Sequence, residues 1–158
     1  VVAYLGAMLA GFGLFLLVFR VATRLVRRTG STYVTAEAIA RRFAPALLPI
    51  AAGYHLAHFL GYFLSLVPAA VVVLAAPLAP PATPPVLTLP GWFGALELAF
   101  VLLGHVLAIW IAHVVAFELF TGRLQPIRSQ YPFIVVMIGY TVTSMWIVAQ
   151  PAVALPYL

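Results

Sequence analysis

Cysteine, lysine and aspartate are absent from this sequence. Without cysteine there is no disulfide, no thiolate metal site and no Cys nucleophile, and the redox compartment cannot be read from thiol usage. Without aspartate, and with only three glutamates, the common carboxylate-pair chemistries are hard to assemble. Charge as a whole is scarce. Eight arginines and three glutamates make up 7% of 158 residues, against about a quarter in a soluble domain. So few charges cannot cover a water-facing surface, which excludes a soluble enzyme, a disordered protein and a nucleic-acid-binding domain. The pI near 10.1 rests on too few charges for a basic groove, and such counts describe association rather than fold.

What is present is apolar: 65% of the residues are hydrophobic. A membrane span needs about 20 mostly apolar residues. Four such stretches occur, at about 1–18, 43–67 (with a continuation past Pro68 toward Ala76), 91–120 and 132–148, the last stopping at Gln150-Pro151. At about 1.5 Å per residue the third reaches roughly 45 Å, so it should tilt or project beyond the bilayer. Pro45 and Pro49 suit the first turns of the second helix, and Pro68 should kink or end it. The expected fold is all-α, an integral membrane four-helix bundle forming one domain over residues 1–158.

The arginines set an orientation. Arg20, Arg24, Arg27, Arg28, Arg41 and Arg42 lie between the first two spans, and Arg123 and Arg128 between the last two. The connection from Ala76 to Leu89 carries no charge. By the positive-inside rule both Arg-bearing connections are cytoplasmic and both termini are non-cytoplasmic. Trp92 and Tyr131 suit interfacial belts at opposite ends. Residues 77–90 hold six prolines and should form an extended, semi-rigid outer loop. Residues 31–43 read as an ordinary basic inner loop. The alternative there is a short interfacial helix, capped by Thr35, with Glu37 in its first turn and Arg41 and Arg42 in its last. Val1 is not a start Met, so the expectation is a processed chain or part of something longer. Its first stretch is too long and apolar for a signal-peptide core.

Small residues recur every fourth position on three spans: Ala3, Ala7 and Gly11; Gly53, Ala57 and Gly61; Gly104, Ala108, Ala112 and Ala116. Such stripes let helix backbones approach in lipid. The fourth span carries Thr141, Thr143 and Ser144 instead, whose hydroxyls can bond back to their own helix or across helices.

All four histidines fall inside the spans: His55 and His58 on the second, His105 and His113 on the third. Intramembrane ionisable groups are costly and are functional candidates by default. Counting depth from Pro45 and Thr121, His58 lies within about 5 Å of the level of His105, and His55 within about 3 Å of His113. Cross-helix pairs His58–His105 and His55–His113 are therefore expected. Three readings follow. A pair such as His58 and His105 can ligate a b-type haem. Three or four of His55, His58, His105 and His113 can bind copper, iron or zinc. Or all four are neutral packing residues and there is no cofactor. Glu97, with no arginine on its side, is a candidate for proton entry. Glu118 is expected to pair with Arg123 or Arg128. No Ser-His-acid order, Gly-rich phosphate loop or HExxH stretch occurs.

The stretches LLPIAAGYHLAHFLGYFL (47–64), GHVLAIWIAH (104–113), Arg128-Ser129-Gln130 and VVMIGYTVTSMWIVAQ (135–150) resemble the later part of bacterial multi-pass membrane proteins of the fenitrothion hydrolase-like group. The resemblance covers about residues 45–65 and 100–150. It implies histidines at the positions of His58, His105 and His113, with His55 an addition, and it likens the chain to the C-terminal half of longer proteins. It also implies a bacterial-type plasma membrane and a hydrolase label, but no catalytic residue is carried over. The reading is then a multi-pass subunit of a larger membrane assembly, in contact with the bilayer and with other membrane subunits and not an independent enzyme. Its histidines hold haem b or a metal ion. A cofactor-free accessory subunit is the alternative, and a membrane hydrolase the third option.

Overall fold

The structure is a computed structural model that describes residues 2–148. The described residues are helical and contain no strand. Helix α1 spans Val2–Thr29, α2 Ala36–Phe43, α3 Leu48–Ala75, α4 Phe93–Leu119 and α5 Gln125–Val148; a 3-10 turn, Ala44–Leu47, joins α2 to α3. The stop at Gln150-Pro151 lies outside the described residues. Three segments are long and apolar enough to cross a membrane: Val2–Thr29, Ala36–Ala75 and Phe93–Leu119. Helix α5 is not among them. Its first turns hold Gln125, Arg128 and Gln130, so its apolar part begins only near Pro132.

Residues 36–43 correct the expectation of a basic loop. Thr35 caps α2 by accepting the Ala38 N–H at 3.2 Å, and Arg41 pairs with Glu37 one turn back at 2.6 Å. Pro45 and Pro49 then open the next helical segments, where a missing N–H costs nothing. The chain therefore runs from Ala36 to Ala75 as one nearly continuous line. Pro68 lies inside α3 and does not end it. About one turn before Pro68, the Ser65 carbonyl accepts the Leu87 N–H at 2.9 Å. The proline-rich connection thus folds back along α3, about 15 Å below the helix end.

Helices α3 and α4 form the closest pair, antiparallel, and α5 packs on both α4 and α1. The stripes explain the first contact. A methyl group at Gly53 would strike the Phe100 carbonyl, and one at Gly104 would sit 2.5 Å from the Pro49 carbonyl oxygen. Gly53, Ala57 and Gly61 are buried, and so are Gly104, Ala108, Ala112 and Ala116. Backbone contact of this kind needs small residues where lipid supplies no hydrophobic drive. The stripe on α1 behaves differently. Ala3, Ala7 and Gly11 are exposed, and a methyl at Gly11 would meet nothing.

The tight core lies toward the arginine-rich end. Phe43 and Phe19 pack on Phe133 with ring centroids at 5.2 and 6.4 Å, beside Ile39, Ala112 and Met137. Farther along, Phe15 stacks on Tyr140 at 4.7 Å, and the Tyr140 hydroxyl donates to the Phe15 carbonyl at 3.0 Å. The backbones of α1 and α3 do not approach each other among the described residues.

Candidate functional site: a histidine-bearing face on α3

Helix periodicity separates two faces of α3. Gly53, Ala57 and Gly61 face α4. Tyr54, His55, His58, Tyr62 and Ser65 all fall within an arc of about 100°, centred about 110° round from that stripe. They are exposed or half-buried. These are the polar side chains of α3, gathered on the face that its partner helix leaves uncovered. Tyr54 and His58 stack at 4.3 Å. The His55 Nδ1–H donates to the Ala51 carbonyl at 2.8 Å, which leaves Nε2 free to accept or ligate. Tyr54 and His55 also border an apolar groove of about 570 Å³, walled by Phe12 and Phe15 of α1 and by Ser144 and Ile147 of α5.

His105 is the buried histidine, 3% exposed. Its Nδ1–H donates to the Val101 carbonyl at 2.8 Å, and its Nε2 is sealed from solvent without a hydrogen-bond partner. Leaving such an acceptor unpaired costs about 1–3 kcal/mol. His113 is exposed and sits at the basic end. Its Nδ1 meets Gln130 Oε1 at 2.9 Å. Gln130 in turn donates from Nε2 to the Pro126 carbonyl at 2.9 Å, and Ser129, fully buried, donates to the same carbonyl at 2.8 Å. The Ser129-Gln130 pair therefore anchors the start of α5 and orients His113.

The expected cross-helix pairs do not meet. Gly53 and Gly104 lie opposite each other, which fixes the register. His58 is then five residues to one side of this contact and His105 one residue to the other, about 9 Å apart along the axis. His55 and His113 are separated by about 17 Å. The depth count failed because it began at Pro45. Helix α2 and the 3-10 turn extend the line nine residues further, to Ala36. No group of three or more His or Glu side chains among the described residues can hold one metal ion.

Glu97 is half-buried in the α3–α4 seam, with Oε1 3.0 Å from where a methyl at Gly61 would stand. Glu118 is exposed and makes no ion pair with Arg123 or Arg128; it borders a small cleft with Arg42. Two features escaped sequence reasoning, the Gln130–His113 bond and the groove. The Arg128-Ser129-Gln130 triplet was a usable signal for the first. The groove depends on the gap between α1 and α3, which no local pattern encodes. Comparison with known families, curated proteins and solved structures finds no match for this chain.

Proposed function

We propose that the chain is a multi-pass membrane subunit whose α3 histidine face is covered by helices other than those described, and that haem b or a metal ion is held there. One observation carries this reading: His55 and His58 are exposed on a flank of α3 that its partner helix leaves uncovered. His58 lies roughly 24 Å from Arg42 along the helix line, deep in the apolar stretch. A histidine at that depth facing hydrocarbon is costly, and such groups normally face a bundle interior. Covering α3 turns the outer face into an interior.

His55 and His58 are this chain's ligands in the proposed site. Remaining ligands come from the covering helices, because His105 and His113 lie at other levels. The groove beside His55 has apolar walls with a few polar groups, Tyr54, His55 and Ser144, a lining that suits a prosthetic group. The test is an absorption spectrum and metal analysis on one sample purified from its native membrane. A Soret band or a stoichiometric metal, lost in His55→Ala/His58→Ala, supports the proposal; neither signal in the wild type refutes the cofactor.

A cofactor-free accessory subunit is the second reading, favoured by the exposed small-residue stripe of α1, which is available for helix packing. The hydrolase implied by the fenitrothion hydrolase-like resemblance ranks third. No nucleophile-base pair lies among the hydrogen bonds of the described residues.

A further inference from the structure

The arginines of α1 are not scattered around the helix. Arg20, Arg24, Arg27 and Arg28 fall within an arc of about 100°. The stripe begins where the uncharged apolar run of α1 ends. None of these four guanidiniums makes an ion pair among the described residues. The one carboxylate near them, Glu37, is engaged by Arg41. Like charges three and four residues apart repel along a helix, so the stripe destabilises α1 unless an anion sits on it.

The stripe is also one wall of a cavity. A cleft of about 580 Å³ between α1 and α2 is lined by Arg20, Thr23, Arg24, Arg41 and by Glu37, whose carboxylate Arg41 neutralises. A second of about 500 Å³ adjoins it, sharing Arg24 and Ala36 and adding Arg27, Arg28 and Ser31. Thr23 is already committed, donating to the Arg20 carbonyl, whereas the Thr32 oxygen accepts the Val34 N–H and keeps its own O–H able to donate. The Ser31 hydroxyl has no partner among the described residues. It is held at the cleft by a left-handed backbone, φ 46°, that ends α1. Guanidinium forks and a free hydroxyl are the donors that take phosphate oxygens.

We infer that the α1–α2 cleft binds the phosphate of an anionic lipid, with Arg24 at its centre and Arg20, Arg28 and Ser31 around it. A lipid is the source, rather than a free phosphate, because the cleft opens where the apolar run of α1 stops. Basic pockets at that depth face headgroups. The inference rests on the membrane placement proposed above and not on the histidine site.

The experiment is native mass spectrometry of the full chain, purified from nanodiscs of phosphatidylcholine alone or with phosphatidylglycerol. The wild type should retain phosphatidylglycerol preferentially. Arg24→Gln should lower that enrichment by about fivefold, and Arg20→Gln/Arg24→Gln/Arg28→Gln by more. Arg123→Gln/Arg128→Gln, a change of charge in the other basic connection, should alter it by less than about twofold. Circular dichroism checks that each variant is folded; should the triple variant misfold, Arg24→Gln decides. Equal enrichment in wild type and Arg24→Gln, or an equal loss in the Arg123/Arg128 control, overturns the proposal. Binding of inorganic phosphate without lipid enrichment overturns it as well. Neither result touches the Soret and metal readouts, so the two proposals fail separately.

Discussion

Gln130 fixes the tautomer of His113. The amide of Gln130 gives its N–H to the Pro126 carbonyl, so only its oxygen is left to face the ring, and His113 must donate from Nδ1. His55 and His105 also donate from Nδ1, to carbonyls one turn back. Three rings thus carry their lone pair on Nε2 when neutral, the arrangement in which a histidine can ligate a metal through its outer nitrogen. Of the three, only His55 both lines a groove and lies on the uncovered face of α3.

Replacing Gln130 with Leu should release His113. The ring loses its acceptor, and imidazole nitrogen shifts in a selectively labelled sample should move from a single Nδ1–H form to a mixture. The cost in stability should be about 1 kcal/mol. An unchanged Nδ1–H signature would show that the bond does not set the tautomer.

The α3–α4 contact should tolerate no added methyl. Gly53→Ala and Gly104→Ala each place a methyl against a backbone carbonyl that cannot swing aside. Each should destabilise by about 1–3 kcal/mol, as overpacking does. Gly11→Ala, with open space around it, should be neutral within about 0.5 kcal/mol in the same thermal unfolding series in detergent. Equal effects at Gly11 and Gly53 would contradict the packing described.

Phe133 joins α5 to α1 and to the end of α2 through Phe19 and Phe43. Phe133→Ala should therefore cost about 3–5 kcal/mol, the range for a buried aromatic truncation. Tyr140→Phe keeps the ring stack on Phe15 and removes only the hydroxyl bond, so it should cost about 1 kcal/mol. Chemical denaturation of the two variants in parallel separates the predicted losses.

The helical segments were largely legible, because apolar runs of this length leave the backbone few other ways to satisfy itself in lipid. The stripes on α3 and α4 were legible for a similar reason: Gly and Ala every fourth residue can only be a close-packed face or a wasted one. The stripe on α1 shows the limit. Its pattern is the same, yet the described chain leaves it bare, since packing depends on a partner and not on the stripe. Depth was misread because the line of α3 begins at Thr35, whose cap draws Ala36–Phe43 into a helix where arginines suggested a loop. That shift placed His113 at the basic end and separated the paired histidines. What sequence could not give was direction around the axis. Once Gly53 was seen against Gly104, the same spacing that placed His55 and His58 on one face placed that face outward.

The central claim is that protein covers the outward face of α3 in the native membrane. Nitroxide collision accessibility tests it directly, with labels attached after His58→Cys and, as a lipid-facing reference, Trp110→Cys in cysteine-free chain. The account predicts that the label at position 58 collides far less with membrane-dissolved oxygen than the label at 110 in native membranes. It also predicts that this difference disappears when the isolated chain is reconstituted alone. Equal, high oxygen accessibility at both positions in native membranes would contradict it.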